Sequence, residues 1–247
     1  MANALILGCS HAAGAQMRFG TECPVTGDAE QIAWEAENSY PVQLAKMLGF
    51  NPLNHAISGG SNDAMFRVCT QQIAGLLDFS DVIIACWTGM SRSELYHEDE
   101  NAWYGLNYTN LQTHRRVHCD SLREGREVFE TLDGYEPVHN YAKQWLIYEG
   151  GYTKSRLNKI KNVLAVNSLG IKVINIDSFD GVYDFPWPKN IYRPVSTIEE
   201  EFYPWSIAQG HRPEATGHFY RPAHQAYAEY LKKHISMDYH FKDLYKG

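Results

Sequence analysis

Apolar residues along this chain fall into short continuous runs, separated by segments with helical spacing. Ala4-Leu5-Ile6-Leu7 is the first run, and Gly8 ends it. It predicts a buried parallel strand feeding a tight turn. From Tyr40 to Leu48, the positions Val42, Leu44, Ala45, Met47 and Leu48 follow a helical spacing, and Gly49 stands where a C-cap belongs. Asn54-His55-Ala56-Ile57 predicts a second short strand, closed by Ser58-Gly59-Gly60-Ser61. Asp63 to Leu77 predicts a helix with Met65, Phe66, Val68, Ile73, Leu76 and Leu77 on its apolar face. Asp81 to Trp87 is the clearest strand, apolar at nearly every position and so buried on both faces. Ile171 to Asp177 repeats that pattern, and Ala223 to His234 predicts a last amphipathic helix facing inward with Ala226, Tyr227, Tyr230 and Leu231.

Two stretches break the rhythm. Residues from about 97 to 160 are polar, aromatic and helix-leaning, and predict a helical or irregular insertion. Residues from about 179 to 215 are rich in Pro, Tyr and Trp, and predict a long aromatic loop. The alternation of strands and helices predicts one α/β domain with a doubly wound parallel sheet. Ligand sites in such sheets form beyond the carboxyl ends of the strands. That places the turns Gly8 to His11, Ser58 to Asn62 and Trp87 to Arg92 on one rim.

Composition narrows the function classes. The 247 residues are 44% hydrophobic and 21% charged, which fits a globular domain with a sizeable core. The net charge is −7 and the Lys and Arg residues are scattered, which argues against a nucleic-acid partner. Cys9, Cys23, Cys69, Cys86 and Cys119 form no CxxC pair, so neither a disulfide framework nor a zinc knuckle is expected. The first apolar run is too short for a secretory signal, and no run approaches the ~20 residues of a membrane span. The expectation is cytoplasmic synthesis with no membrane partner and no cofactor.

Three elements carry candidate chemistry. Ser10 follows a strand and precedes a helix start, where backbone N–H groups favour negative charge; taken alone it reads more readily as an N-cap. Gly59 and Gly60 let backbone N–H groups approach a ligand with no Cβ in the way, or simply make a strand-to-helix turn. His218, before the last helix, is a candidate base for Ser10. Other clusters carry less. His97-Glu98-Asp99-Glu100 reads as a solvated acidic loop. His114 and His118 have zinc-like spacing on a predicted helix, but bracket Arg115 and Arg116 and lack a metalloprotease Glu. Gly59-Gly60-Ser61-Asn62 lacks the Lys of a phosphate loop.

In order and spacing these elements resemble the SGNH hydrolases, also called GDSL esterases. Gly8-Cys9-Ser10-His11 is similar to that family's first block, with Cys9 in place of Asp. Asn54-His55-Ala56-Ile57-Ser58-Gly59 is similar to the second, and His218 ahead of the Pro222 to Leu231 helix is similar to the last. The resemblance covers about half the chain. It implies a flavodoxin-like doubly wound sheet carrying a helical insertion. It also implies an ester substrate, an O-acetyl carbohydrate being the candidate, with Ser10 as nucleophile and His218 as base. The N–H groups of Ser10 and Gly59 would form the oxyanion hole.

Two departures accompany the resemblance. The family's Gly-x-Asn block is replaced by Trp87-Thr88-Gly89-Met90-Ser91-Arg92, so Thr88 or Arg92 must supply the missing donor. Some phage-associated members of the family have a similar turn, with a Thr followed by an Arg and a Glu, which Arg92 and Glu94 fit. The family's acid falls on Ala215, which leaves Glu214 as the nearest carboxylate or a Ser-His dyad. The alternative expectation is a binding or structural protein on a hydrolase scaffold, such as a virion component.

Overall fold

The structure is a computed structural model. It describes residues 2–19, 23–24, 27–75, 81–89, 92–97, 102–107, 118–120, 151–178, 186–214 and 217–237. Four strands form a parallel sheet: β1 (Asn3–Gly8), β2 (Asn51–Asn54), β3 (Val82–Trp87) and β7 (Lys172–Asp177), in the order β2-β1-β3-β7. Helices α1 (Ser10–Ala13), α2 (Asp28–Asn38), α3 (Tyr40–Met47) and α4 (Asn62–Gly75) come in the first half. Helices α5 (Gly151–Asn167), α6 (Phe202–Ala208) and α7 (Arg221–Met237) come in the second. The fold class is α/β.

The continuous apolar runs split between two faces, because successive strand side chains point to opposite sides. Ala4, Ile6, Val82, Ile84, Cys86, Ile174 and Ile176 face a core shared with α3 and α7, including Val42, Leu44, Tyr227 and Leu231. Leu5, Leu7, Ile83, Ala85, Trp87 and Val173 face a second core with Met65, Val68 and Cys69 of α4 and Val163 and Val166 of α5. Each fully buried aliphatic side chain contributes roughly 1.5–3 kcal/mol. The two cores therefore fix the sheet from both sides and leave its carboxyl edge as the place for a site.

Several boundaries differ from expectation. The second strand lies at Asn51–Asn54, not at 54–57, and Pro52 is tolerated because β2 is an edge strand. Residues 55–57 still track β1: His55 N–H donates to the Ile6 carbonyl at 2.9 Å and Ile57 N–H to that of Gly8 at 3.0 Å. The helical insertion begins differently from the reading at 97–160. β4 (Arg92–His97), β5 (Ala102–Asn107) and β6 (His118–Asp120) form a separate antiparallel sheet, and the next described helix begins at Gly151. His118 is therefore on a strand, while His114 lies outside the described residues. The aromatic loop contains α6, whose Pro204 falls in the first turn, where its missing N–H costs nothing. No helix among the described residues is long and apolar enough to cross a membrane.

Candidate active site

The site is built from the loops that leave β1, β2 and β3, together with the loop before α7. Gly8 ends β1, and a Cβ there would come within 2.3 Å of the Ala12 Cβ. Only glycine lets α1 fold back so closely on the strand that feeds it. The single turn of α1 is closed by bonds from Ala13 N–H to the Cys9 carbonyl and from Ala15 N–H to the Ser10 carbonyl, each 2.9 Å. Ser10 and His11 both sit in that turn, 4% and 3% exposed. The Ser10 hydroxyl is thus almost closed off from bulk solvent.

The second loop is stitched to the first through the Ile57–Gly8 bond. Gly59 has φ of +78°, a conformation that side chains rarely adopt. Gly60 donates back to the Ile57 carbonyl at 2.8 Å. Ser61 then caps α4, its hydroxyl accepting from Ala64 N–H at 3.0 Å. Asn62 reaches across to the third loop with both ends of its amide. Its Nδ2 donates to the Thr88 carbonyl, and its Oδ1 accepts from Thr88 N–H, each at 3.0 Å. The amide of Asn62 is therefore committed to holding Thr88. Thr88 itself is fully buried, and its hydroxyl has no hydrogen-bond partner among the described residues. Arg92 enters from the start of β4 and donates from Nη1 to the Gly60 carbonyl at 3.4 Å.

His218 arrives in a compact turn: Glu214 N–H donates to the His218 carbonyl at 2.8 Å, and Gly217 N–H to that of Glu214 at 3.0 Å. Its ring stands 4.9 Å from that of His11, tilted by 37°. His11 also meets the rings of Phe202 and Tyr203 of α6 edge-on. His224, one turn into α7, accepts from Tyr40 N–H at Nδ1 and packs on Phe202.

Burial sets the charge state of these rings. It pushes His218 down to about 4, and the nearby Arg92 cation adds to the shift. His224 falls to about 3 through burial and then the charge of His218. His11 is held well below the ordinary histidine value by burial, then by His218, His224 and Arg92. All three imidazoles are therefore neutral at pH 7, and Arg92 is the cation that acts on His11 and His218. Glu214 acts on Glu35. Burial raises Glu35, and the charge of Glu214 adds to that rise, against hydrogen bonds from the backbone of Arg18 and Gln16.

Gly59 lies in the loop stitched to Gly8, Arg92 reaches Gly60 in that loop, His218 packs on His11 next to Ser10, and Thr88 is buried. Glu214 supports the His218 turn through its main chain. Sequence reading gave His11 no role, although it stands within the first block; its ring against His218 becomes visible only when the chain is folded. No group of three or more His, Cys, Asp and Glu residues among the described residues offers a metal site. Comparison of the chain with protein-family models finds no match, and comparison with curated proteins finds none either.

Proposed function

We propose that this chain is a serine esterase with a divergent SGNH-type site on a flavodoxin-like sheet. The order β2-β1-β3-β7, in which the chain goes from β1 to β2 on one side and then passes β1 to β3 on the other, supports that fold type. The observation that carries the activity is the meeting of Arg92 with the Gly60 carbonyl, at the turn where His218 also feels the Arg92 charge. A cation and a neutral imidazole held together beside a strand-end serine suit acyl transfer.

In the proposed reaction the Ser10 hydroxyl attacks the ester carbonyl and His218 takes its proton. Negative charge on the former carbonyl oxygen is held by the N–H groups of Ser10 and Gly59 and by the Arg92 guanidinium. The tetrahedral adduct collapses, and His218 returns the proton to the departing alcohol. Water then attacks the acyl-serine with His218 again as base, releasing the acid and restoring Ser10. The pair works as a dyad. His218 is a weak base at about 4, so the rate is modest until oxyanion charge offsets Arg92. An O-acetyl carbohydrate is the candidate substrate, with the aromatic residues near His11 as its wall.

The test is hydrolysis of short p-nitrophenyl esters by Ser10→Ala, with a fluorophosphonate probe on the unaltered chain. Loss of at least ~10³-fold in rate is expected, with labelling at Ser10. Equal rates for variant and parent sink the assignment. A second reading is favoured by the 4% exposure of Ser10: a binding or virion protein that keeps the scaffold without turnover. It predicts no labelling and a stable association with a larger assembly.

A further inference from the structure

Arg92 is the first residue of β4, so its place in the site depends on how the β4–β5 hairpin is held. Residues two apart on a strand share a face, so Glu94 projects to the same side as Arg92. Glu94 meets Arg67 of α4 in a forked ion pair. Nε of Arg67 donates to the two carboxylate oxygens at 3.1 and 3.2 Å, and Nη2 to Oε2 at 3.0 Å. Both side chains are nearly buried, 10% and 7% exposed. The same guanidinium lies over the ring of Trp103 on β5, 4.6 Å from its centroid. In the ladder Gly105 stands opposite Glu94.

One arginine thus grips both strands of the hairpin, by a charge-assisted fork on β4 and a cation–π contact on β5. The connection closes into a ring. From Arg67 the path runs along α4 to its Ser61 cap and to Gly60, whose carbonyl accepts from Arg92. It then runs from Arg92 along β4 to Glu94 and back to Arg67. Such a ring limits where a long, flexible side chain at the start of a strand can go. A donor misplaced by 1 Å can cost ~10²-fold in rate.

We propose that Arg67 is a positioning residue: by clasping Glu94 and Trp103 it fixes Arg92 at the Gly60 carbonyl beside His218. The catalytic consequence rests on the esterase reading above; the positioning does not.

The test therefore reads His218 directly, by NMR titration of its imidazole protons in the full chain. Among the described residues, the titratable and charged groups near His218 include His11, His224 and Arg92, with Glu214 in its own turn. Replacing Arg92→Gln removes the cation and moves the His218 titration up from about 4. Arg67→Ala moves it up as well, by a comparable amount, and the double variant moves it no further. Arg67→Lys keeps a charge but loses the fork, and gives an upward shift of intermediate size. Where esterase activity is present, Arg67→Ala lowers kcat by ~10-fold with little change in KM. Arg67 variants that fold but leave the titration unchanged overturn the proposal. So does a double variant that shifts by the sum of the two, or an Arg92→Gln titration that does not move. If Arg67→Ala fails to fold, Arg67→Lys decides alone. An inactive parent enzyme removes the esterase reading and leaves the titration test intact.

Discussion

The carboxyl edge of the sheet holds two buried clusters of ionisable groups, and they differ in how desolvation is met. Around β1 and the loop before α7, His11, His218 and His224 are buried without a described carboxylate among the charges that shift them, and they stay neutral. At the end of β7, Lys159 of α5 and Asp177 are 0% and 1% exposed and pair at 3.0 Å. Arg193 lies near that pair, over the Trp187 ring that Lys159 also approaches. Burial lowers the pKa of Arg193, and the charge of Asp177 works against that. In the second cluster each charge has a partner, and the arrangement is structural. In the first, burial has stored three groups that must not take up protons, beside a cation. A site that moves a proton needs such a poised group; a strut does not.

The largest expected effect is acid sensitivity from the histidine side. A histidine whose pKa is depressed on folding binds more protons when unfolded, so stability rises with pH between its folded and unfolded values. Read downward, stability is intact above about 6.5, is lost as pH falls towards 4, and levels off below the folded values. Each histidine contributes about 1.4 kcal/mol per pH unit in that window, and three together up to about 4. Glu35, shifted upward, binds protons in the native state and offsets part of this near its own range. Thermal unfolding followed from pH 7.5 to 4.5 should show Tm falling steadily below pH 6.5. A flat Tm across that interval removes the claim that these rings are buried neutral.

The next effect isolates the other cluster. Lys159→Met keeps volume but leaves Asp177 buried without its nearest cation. Breaking such a pair costs ~3–5 kcal/mol, and the neighbouring Arg193 should hold the loss to the lower end. The double variant Lys159→Met with Asp177→Leu should recover much of that stability, since a matched apolar pair often replaces a buried ion pair without loss. Chemical denaturation measures both. The acid limb of esterase activity should not move in either variant. If it does, the two clusters communicate and the contrast between them fails.

The sequence made one of these regions legible and hid the other. The strands at Leu5, Ile84 and Ile174 were readable because burial on both faces leaves an unbroken apolar run. β2 was read three residues late, because Ala56 and Ile57 look more strand-like than Asn51 and Pro52. The β4–β5 hairpin escaped notice because Arg92-Ser93-Glu94 and Trp103-Tyr104-Gly105 carry polar and aromatic residues; their strand character comes from cross-strand pairing. α2 was missed because it is mostly exposed, with Glu35 as its one buried residue. Of the candidate residues, Ser10 and Gly59 stand out as short blocks next to strand ends, and His218 as one before a helix. The contact of His11 with His218 does not, nor does the clasp of Arg67 on Glu94, which joins residues 27 apart in sequence. Long-range pairs leave no local period. Lys159 carries no local signal of burial, and only the fold shows it sealed against Asp177.

The smallest effect concerns the acid that a triad would require. Glu214 was the nearest carboxylate to His218 in sequence, yet its charge acts on Glu35, and its N–H holds the His218 carbonyl. A Glu214→Gln variant keeps that main-chain bond. If the side chain plays no part in the proton transfer, kcat should change by less than ~10-fold, set against a loss of ~10⁴ when a true triad acid is removed. The same variant removes a negative charge that helps raise Glu35, so the Glu35 titration should fall while that of His218 stays near 4. A loss approaching ~10⁴ in kcat with a shifted His218 titration would instead make Glu214 the orienting acid. The histidine cluster would then be compensated like the Lys159–Asp177 pair, and the difference between the two regions would be one of exposure alone.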